Sequence, residues 1–487
     1  MTDSIINLLQ LKDSTGIEAK ILPSDSSTLL VELKRPLKPK FCPMCSFRMY
    51  SKGTYTRTVR HPILQDGRIL ILKLVQRKWK CQNPNCNYFE TDQFSFVDKN
   101  RRVTNTTDLL IVQNFKDFNL SARQIAKQFF VTDTYALNTF DRYVDMPRLR
   151  LPKALSVDEV HLQILSKYKY ALILQDFVTG EPVDMVVSRR QNITEPYFAN
   201  IPRAERAFVK YIISDMYAPY QNYVEKYFPN AVPVVDSFHV IKLITQKLNA
   251  YLVRLKRKFK ERDEKELAKR QLHYRYELKL KESKELFLLR TKRWILLANQ
   301  DSINYNSKAY RDWHYNNTYM YIADYEREFF KMDPHLETLR DLKEEYINFN
   351  KKYAGNPEGA RKGLVKIIEM YQNSGEPIFE DVAEALKTYS NAIVNSFIMM
   401  DRLDKNGTVI TSRLSNGPME SLNRIPKDMK RHARGYNNFN HIRNRFLFST
   451  RKDAAILAYP KPVQEVKNHT GIKRGSYKKK TVPKLNK

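Results

Sequence analysis

The chain has 487 residues, which is too long for one compact core. Its apolar content of 42% is enough to bury several cores. Its 84 Lys and Arg against 53 Asp and Glu leave a formal charge of +31, spread along the whole length. A polyanion such as nucleic acid is the natural partner, although ribosomal and membrane-surface proteins share this bias. The sequence lacks a signal-peptide pattern and any run of ~18 uncharged apolar residues, so we expect a cytoplasmic protein with no membrane partner.

The four cysteines form two closely spaced pairs. Cys42 and Cys45 lie in FCPMC, Cys81 and Cys86 lie in KCQNPNC, and a strand-like run, GRILILKLVQRKWKC, precedes the second pair. Two such pairs separated by a β-hairpin can close a tetrahedral shell of four thiolates around one structural Zn²⁺. Four buried free thiols are the alternative. The cations around this ribbon suggest that it contacts DNA, and the candidate contacts are Arg77 and Lys78.

Residues 104 to 145 have a helical pattern, in which SARQIAKQFFVTDTYALNTFDRYV fits a helix, a turn and a second helix. This is helix-turn-helix spacing, with Ala126 where the two helices pack and Val131 in the turn. The second helix would enter the DNA major groove, whereas an ordinary helical hairpin is the alternative. The candidate DNA-contacting residues here are Arg123, Thr134, Tyr135 and Asn138.

From Leu155 the pattern changes to strands. Three strands linked by hairpins precede a helix across TEPYFANIPRAE, a buried strand ending at Asp215, a second helix and a strand ending at Asp236. This order is the plan of a ribonuclease-H-like α/β core. In that plan Asp158 of the first strand would lie beside Asp215, and such carboxylates can hold two metal ions about 4 Å apart. Either aspartate alone could instead serve a turn or an N-cap.

The candidate third carboxylate lies far downstream, in SNGPMESLNRIPK. The SNGP start places Glu420 in the first turns of a helix, and Asn423, Arg424 and Lys427 follow on its face. A carboxylate beside an amide and cations suits a metal ligand near a phosphate backbone. A solvated glutamate favoured by the helix dipole is the alternative, and the pattern alone leaves both open.

The order of these motifs resembles that of the DDE transposases of the ISL-three family of bacterial insertion sequences. The motifs are CPMC, CQNPNC, SVDEV, SDMYAPY, VVDSFHVIK, RWILL, SNGPMESLNRIPK and ARGYNNFNHIRNR. The resemblance covers nearly the whole chain and implies a zinc-binding region, a helix-turn-helix and a ribonuclease-H-like catalytic domain interrupted by a helical insertion. It also implies that Asp158, Asp215 and Glu420 are the catalytic triad, holding two Mg²⁺ or Mn²⁺.

Other residues near the triad are candidates for supporting roles. Asp236, in the family-like DSFH segment, is a candidate accessory ligand or supporting residue together with His239. Pro426 is unusual for the family and should end or kink the Glu420 helix early, which puts the role of Lys427 in doubt. The predicted DNA contacts of this segment are Asn423, Arg424, Lys427 and Arg431.

The predicted organisation has five regions. They are an N-terminal region with the zinc ribbon (1–100), a helix-turn-helix domain (101–150), a catalytic domain (151–245 and 405–455), a helical insertion (246–404) and a basic tail (456–487). The basic face of the insertion could grip the end of the element. Within it we expect Trp294 of RWILL to be a core residue rather than one that stacks on an unpaired base.

These features predict a metal-dependent transposase that binds the terminal inverted repeats of its element, cleaves double-stranded DNA and joins it to a target. Coordinated cutting of two ends favours a homodimer or a larger assembly. A non-enzymatic zinc and helix-turn-helix regulator would explain the charge but leaves the three carboxylates without a function. A nuclease on the same fold and an inactive transposase copy are the remaining alternatives.

Overall fold

The computed structural model describes residues 9, 11, 16–62, 67–165, 167–273, 275–276, 282–404, 406–433, 436, 438–462 and 465–466. The chain divides into two compact units. The first comprises Met1–Arg148, Val160–Ala171 and Arg424–Lys487, and the second comprises Leu149–Glu159 and Leu172–Asn423. Most of the predicted basic tail lies outside the described residues, and the five predicted domain boundaries stay a prediction.

The secondary structure alternates between sheet-forming and helical segments. The strands are β1 (Glu18–Ile21), β2 (Thr28–Lys34), β3 (Met49–His61), β4 (Ile69–Cys81), β5 (Phe89–Thr91), β6 (Ala154–Leu165), β7 (Tyr168–Asp176), β8 (Pro182–Val186), β9 (Tyr211–Ser214), β10 (Val232–Val235), β11 (Tyr310–Asp312), β12 (Thr318–Met320), β13 (Met399–Leu403) and β14 (Val409–Arg413). The helices are α1 (Asn105–Asn114), α2 (Ala122–Gln128), α3 (Asp133–Tyr143), α4 (Gln191–Ala199), α5 (Arg203–Phe208), α6 (Ala218–Tyr227), α7 (Ser237–Gln271), α8 (Lys284–Phe287), α9 (Trp294–Leu297), α10 (Ile322–Met332), α11 (His335–Lys352), α12 (Pro357–Gln372), α13 (Pro377–Thr388), α14 (Ser390–Asn395), α15 (Gly417–Leu422), α16 (Arg424–His432) and α17 (Phe439–Thr450). Among the helices in the described part of the chain, none has the length and apolar character that a membrane crossing requires.

The first unit begins with a five-stranded sheet, ordered β1-β2-β4-β3, in which β5 also pairs with β4. Buried residues alternate along β4, so Leu70, Leu72 and Leu74 face one core together with Val59 of β3. β3 and β4 are antiparallel and form the hairpin that the sequence predicts between the two cysteine pairs.

Helices α1 to α3 occupy the segment with the predicted helical pattern. Hydroxyl side chains cap all three N-termini, and the residues are Thr104, Ser121 and Thr132. The Val131 amide donates to the carbonyl of Ala126 (3.0 Å) in the turn between α2 and α3. Ala126 is fully buried, so its small side chain lies where the two helices pack.

A buried carboxylate joins these helices. Asp108 of α1 accepts hydrogen bonds from the Tyr135 hydroxyl (2.6 Å) and from Arg101 Nη2 (2.9 Å). A buried charge is costly unless it is paired and hydrogen-bonded, and both partners meet that need. Tyr135, a predicted DNA contact, therefore directs its hydroxyl into the bundle.

The C-terminal helix α17 packs on the same bundle within the first unit. His441 Nδ1 and Asp141 Oδ1 lie 2.6 Å apart, and Lys116 Nζ donates to the carbonyl of Phe448 (2.8 Å). The ring of Phe140 meets those of His441 and Phe448 edge-on. These contacts give the ARGYNNFNHIRNR motif a structural role, because its His441 holds α17 against α3.

A mixed sheet, most of which belongs to the second unit, has the strand order β10-β9-β6-β7-β8. β7 and β8 pair antiparallel, whereas β6 pairs parallel with β9 and β9 pairs parallel with β10. Helix α6 forms the crossover from β9 to β10, as parallel neighbours require. Apart from one divided helix, the elements follow the predicted order of three strands, helix, strand, helix and strand, with the first strand in the middle of the sheet.

One predicted helix is divided in two. The sequence predicts a single helix across TEPYFANIPRAE, but α4 ends at Ala199 and α5 begins at Arg203. Pro202 stands at the N-cap of α5, and a proline disfavours helical geometry at the residue before it. The prediction of one continuous helix is therefore wrong.

Apolar residues cover both faces of this sheet. Val157 and Leu172 pack with Tyr220 of α6 on one face, and Ile213 and Val234 belong to a separate cluster. Strands buried on both faces are expected to be apolar nearly throughout. Carboxylates within or directly after such strands therefore need a specific explanation.

The chain between β10 and β13, which contains most of the segment predicted as an insertion (246–404), is mostly helical. Its core gathers buried residues from α7, from α11 to α14 and from the segments between them. Two short antiparallel hairpins, β11 with β12 and β13 with β14, accompany the helices and were not expected from the sequence.

Two buried cations hold the RWILL segment in place by donating hydrogen bonds to its backbone carbonyls. Buried Arg340 donates from Nη1 to Ile295 O (3.0 Å), and buried Lys343 donates from Nζ to Leu296 O (3.1 Å). Ile295 and Leu296 themselves enter the core, whereas Trp294 is 45% exposed. The expectation that Trp294 is a core residue is therefore wrong, because the short helix turns this side chain outward.

We expect Asp108→Ala to destabilise the first unit by about 3 kcal/mol, because it leaves the partly buried Arg101 and the Tyr135 hydroxyl without their buried acceptor. Tyr135→Phe removes one hydrogen bond and should cost about 1 kcal/mol. Thermal unfolding followed by circular dichroism measures both changes. Equal and small shifts for the two variants would contradict the role of Asp108.

Candidate functional site

Two aspartates of the second unit meet where β9 ends beside the middle of β6. Ser156 of β6 pairs with Ile213 of β9 in a parallel register, so two residues further along both strands lead to Asp158 and Asp215. Oxygens of these two carboxylates and of Glu159 all lie within 4.8 Å of one another. The structure thus brings together two residues of the predicted triad and adds a third acid beside them.

Sequence reasoning gave Glu159 no role. Its carboxylate forms an ion pair with Arg189 and accepts a hydrogen bond from the Tyr220 hydroxyl (2.6 Å). Adjacent residues of a strand point to opposite faces, so the alternation of β6 would separate Glu159 from Asp158. The only sequence feature that could have indicated a role for Glu159 was its place next to Asp158 in SVDEV. Its ion pair with Arg189 depends on the fold.

Crowding and burial raise the pKa values of the two aspartates. Burial raises the pKa of Asp158 to about 7, with further increases from the charges of Asp215, Glu159 and Glu420. Burial also raises the pKa of Asp215, as does the charge of Glu159, whereas the charges of His239, Arg189 and Lys242 oppose this rise. A cation bound between these carboxylates would favour their ionised forms, as metal binding to acidic ligands does.

Glu420 lies on α15, in the same unit as both aspartates. It is exposed, and its charge is close enough to raise the pKa of Asp158. Three residues further on, Asn423 Nδ2 donates to Asp158 Oδ2 (2.7 Å). Asn423 was predicted to contact DNA, but here its buried amide ties the end of α15 to Asp158.

The proline after Glu420 acts on the local helix as the sequence suggests. The helix carrying Glu420 ends at Leu422, and a new helix begins at Arg424. Pro426 is the third residue of the new helix, where a backbone N–H would have no intrahelical acceptor. The predicted contacts Arg424, Lys427 and Arg431 all lie on this second helix and are exposed.

Asp236 binds backbone amides with both oxygens. Oδ1 accepts from Phe238 N (3.0 Å), which caps α7, and Oδ2 accepts from Asn416 N (2.8 Å), directly before α15. Asp236 is not part of the cluster of carboxylate oxygens found among the described residues. Its accessory metal role stays a prediction, and its observed bonds position α7 and α15. His239, one turn into α7, acts electrostatically on Asp215.

The four cysteines come together at the end of the β3–β4 hairpin. Their sulfur atoms lie within 4.8 Å of one another, with Cys42 and Cys86 3.8 Å apart and Cys45 and Cys81 3.4 Å apart. A tetrahedral Zn–S distance of about 2.3 Å places sulfur atoms about 3.8 Å apart, so the four thiols fit one Zn²⁺. A hydrogen bond from the backbone amide of Phe47 lowers the pKa of the Cys45 thiol to about 7, whereas burial raises the pKa of the Cys81 thiol. A bound Zn²⁺ would favour the thiolate form of all four.

The other predicted DNA contacts differ in exposure. Lys78 is exposed, with Nζ 5.3 Å from the centroid of the Tyr55 ring, whereas Arg77 is partly buried beside Trp79. Arg123, Thr134 and Asn138 are exposed. These three line a cleft of about 960 Å³ whose other residues include His432 and Tyr436.

The sequence of the chain is similar to those of known transposases. A family of transposases, of the DDE type named ISL3, matches residues 155–446. The chain belongs to this ISL3 family of DDE transposases, as the order of its motifs suggests. It is also 21% identical over 428 residues to the transposase for insertion sequence element IS1001 of Bordetella parapertussis, covering 86% of this chain and 91% of that protein. Family membership supports a function in DNA transposition and implies the use of divalent metal ions.

We expect Cys42→Ser to lower the zinc content of purified protein from about one ion per chain to near zero, because three thiolates hold Zn²⁺ less tightly than four. Inductively coupled plasma mass spectrometry measures the zinc content per chain. Met44→Ser, an exposed change in the same knuckle, is the matched control and should retain the ion. Unchanged zinc in the Cys42 variant would exclude the four-thiolate site.

We expect the metal-free protein to lose stability as the pH rises from about 4 to about 7. In this range an unfolded aspartate has released its proton, whereas Asp158 retains it, so folding takes up a proton. Asp158→Asn should reduce this slope, leaving the contribution of Asp215, and raise the melting temperature at pH 8 more than at pH 5. Differential scanning fluorimetry in a chelating buffer tests this, and a wild-type slope that persists in the variant would contradict the assignment.

Proposed function

We propose that the protein is a DNA transposase that binds the terminal inverted repeats of an insertion sequence, cleaves them and transfers the freed strands to target DNA. The observation that carries this proposal is the approach of Asp158 and Asp215 from adjacent strands, with both pKa values raised. Carboxylates held this close repel one another, and a divalent cation relieves the repulsion. Glu420 completes the catalytic set from α15.

The order of the sheet supports a ribonuclease-H-like catalytic core. Its first strand is central, two antiparallel strands extend it on one side, and two parallel strands joined by a helix extend it on the other. In parallel α/β arrangements, binding sites form beyond the carboxyl ends of the strands. Asp215 and Asp236 follow directly after β9 and β10, at that edge.

The acids fit a pair of Mg²⁺ or Mn²⁺ ions. Asp215 Oδ1 is buried and has no hydrogen-bond partner among the described residues, as expected for an oxygen that binds a cation. Two such ions would lower the pKa of the attacking water or 3′-hydroxyl and stabilise the leaving oxygen. Asp158, Asp215 and Glu420 would hold them, with Asp236 and His239 as candidates for support.

Neighbouring residues would position the site. Asn423 holds one oxygen of Asp158 and leaves the other to the Glu159 amide (2.7 Å), which orients the carboxylate. Arg189 neutralises Glu159, so this fourth acid adds less repulsion. No protein nucleophile is needed, because water and then the DNA 3′-hydroxyl attack the phosphodiester.

The first unit supplies the proposed DNA-binding surfaces. The zinc ribbon would present Lys78 and Arg77, and α2 and α3 would act as a helix-turn-helix through Arg123, Thr134 and Asn138. We leave Tyr135 out of this surface because its hydroxyl binds Asp108. The exposed cations of α16 would contact phosphates.

Transposition requires coordinated cutting of both ends of one element, so we propose that the active assembly is a homodimer or larger. The net charge of +31 would help such an assembly to hold several DNA segments, since each neutralised phosphate releases counterions. Double-stranded DNA is thus both the substrate and the scaffold of assembly.

We expect Glu420→Gln to abolish Mg²⁺-dependent nicking and joining of plasmid DNA that carries the flanking ends of the gene. The loss should be roughly a hundredfold or more, because a metal ligand supports several kcal/mol of transition-state stabilisation. Binding of the ends in a gel-shift assay should persist, since Glu420 lies outside the proposed DNA-reading surfaces.

Glu384→Gln is the matched control, because Glu384 is exposed on α13 and pairs only with nearby Lys387 among the described ion pairs. It should cut and join like the wild type. If wild type and both variants bind the ends and none cuts, the chemistry proposed here is wrong and the protein is a DNA-binding regulator or an inactive copy.

A further inference from the structure

A group of exposed aromatic side chains surrounds the β11–β12 hairpin of the insertion. They are Tyr310 (71% exposed), Trp313 (62%), Tyr319 (58%) and Tyr321 (51%). Four large rings within twelve residues leave considerable apolar area in water, and such concentrations mark interaction sites. We call these four residues the aromatic surface.

The hairpin beneath the aromatic surface is firmly built. Asp312 and Met320 are buried, and Asp312 accepts a hydrogen bond from the Tyr325 hydroxyl (2.7 Å). The His314 ring stacks on Phe287, with centroids 3.7 Å apart. The exposed rings therefore project from a packed support, and their exposure does not result from a loosely attached segment.

Cations accompany the rings. Arg311 pairs directly with Tyr319 across the hairpin, and its guanidinium lies 5.2 Å from the ring centroid. Lys308 is exposed just before β11. Nearby acids are compensated, since Asp324 pairs with Arg327 and Glu328 pairs with Lys331. The surface thus combines ring faces with net positive charge.

We propose that the aromatic surface binds unpaired DNA by stacking its bases on Trp313 and Tyr319, while Arg311 and Lys308 contact the phosphates. Aromatic rings beside cations are the usual means of holding single strands without sequence preference. In a duplex the base faces are occupied by their neighbours, so rings would add little there. This inference rests on the proposed function, in which cleavage leaves strand ends that can separate from their partners.

A second copy of this chain fits the surface less well. A twofold interface brings the same patch against itself, so the positive charge of Arg311 and Lys308 would face an equally positive patch. Like charges across an interface oppose association. A polyanion instead meets these cations with opposite charge, and this complementarity selects DNA as the occupant.

The test measures binding of the full-length protein to a labelled single strand of about 12 nucleotides, a length within the usual range of such sites. A second strand with the same phosphates but abasic sugars is the matched ligand. Moderately high salt weakens contacts to phosphates elsewhere on this basic chain and leaves stacking largely intact. Fluorescence anisotropy gives both affinities.

Wild type should prefer the strand with bases by about tenfold or more, and the double variant Trp313→Ala, Tyr319→Ala should lose this preference. Trp313→Phe keeps a ring and should retain most of it. Tyr459→Ala, a change at an 88% exposed ring outside the insertion, should match wild type. Circular dichroism establishes that each variant is folded.

Equal binding of both strands by wild type, or an unchanged preference in the double variant, overturns the inference. Loss of self-association in the double variant, measured by sedimentation, with unchanged strand preference would identify an interface between copies instead. The proposed function fails separately, because single-strand binding needs no cleavage and the Glu420→Gln variant should show the full preference.

Discussion

Repulsion among the carboxylates of Asp158, Glu159 and Asp215 is the constraint on which the second unit depends. Their oxygens lie within 4.8 Å of one another in a partly buried place, where solvent screens charge poorly. Burial and crowding raise the pKa of Asp158 to about 7, so the metal-free arrangement is costly near neutral pH. A fold maintains such a cost where the same groups gain from binding a cation, which connects the instability of the site with its proposed chemistry.

The surrounding contacts make this arrangement tolerable. Arg189 and the Tyr220 hydroxyl bind the Glu159 carboxylate, so one of the three acids is compensated within the protein. Asp158 is instead bound by two neutral N–H donors, from the Glu159 backbone and the Asn423 amide. Neutral donors orient a carboxylate without cancelling its charge. The protein therefore compensates Glu159 and leaves Asp158 able to attract a metal ion.

Sequence reasoning reached the parts of this site that depend on strand order and missed those that depend on packing. Asp158 and Asp215 could be paired because hairpins, crossover and parallel neighbours determine which strands lie side by side. The ion pair between Arg189 and Glu159 could not be predicted. Alternation along β6 places Glu159 and Asp158 on opposite faces, and the contact with Arg189 depends on how the two long side chains pack. The inward hydroxyl of Tyr135 and the outward ring of Trp294 depend similarly on how short helices rotate, which a pattern of apolar residues does not specify.

Asp236 shows how the long helical segment between β10 and β13 can separate the proposed catalytic acids in sequence without dispersing them in space. One oxygen caps the first turn of α7, where the insertion leaves β10, and the other binds the amide of Asn416, where the chain returns before α15. A single side chain thus joins the entrance of the insertion to its exit, 180 residues apart. Arg413 strengthens the same junction by donating to the Ser237 hydroxyl (2.7 Å). This junction fixes the start of α15, which carries Glu420, next to β10. The helical segment between them can therefore carry the separate surface proposed above while the proposed acids stay together.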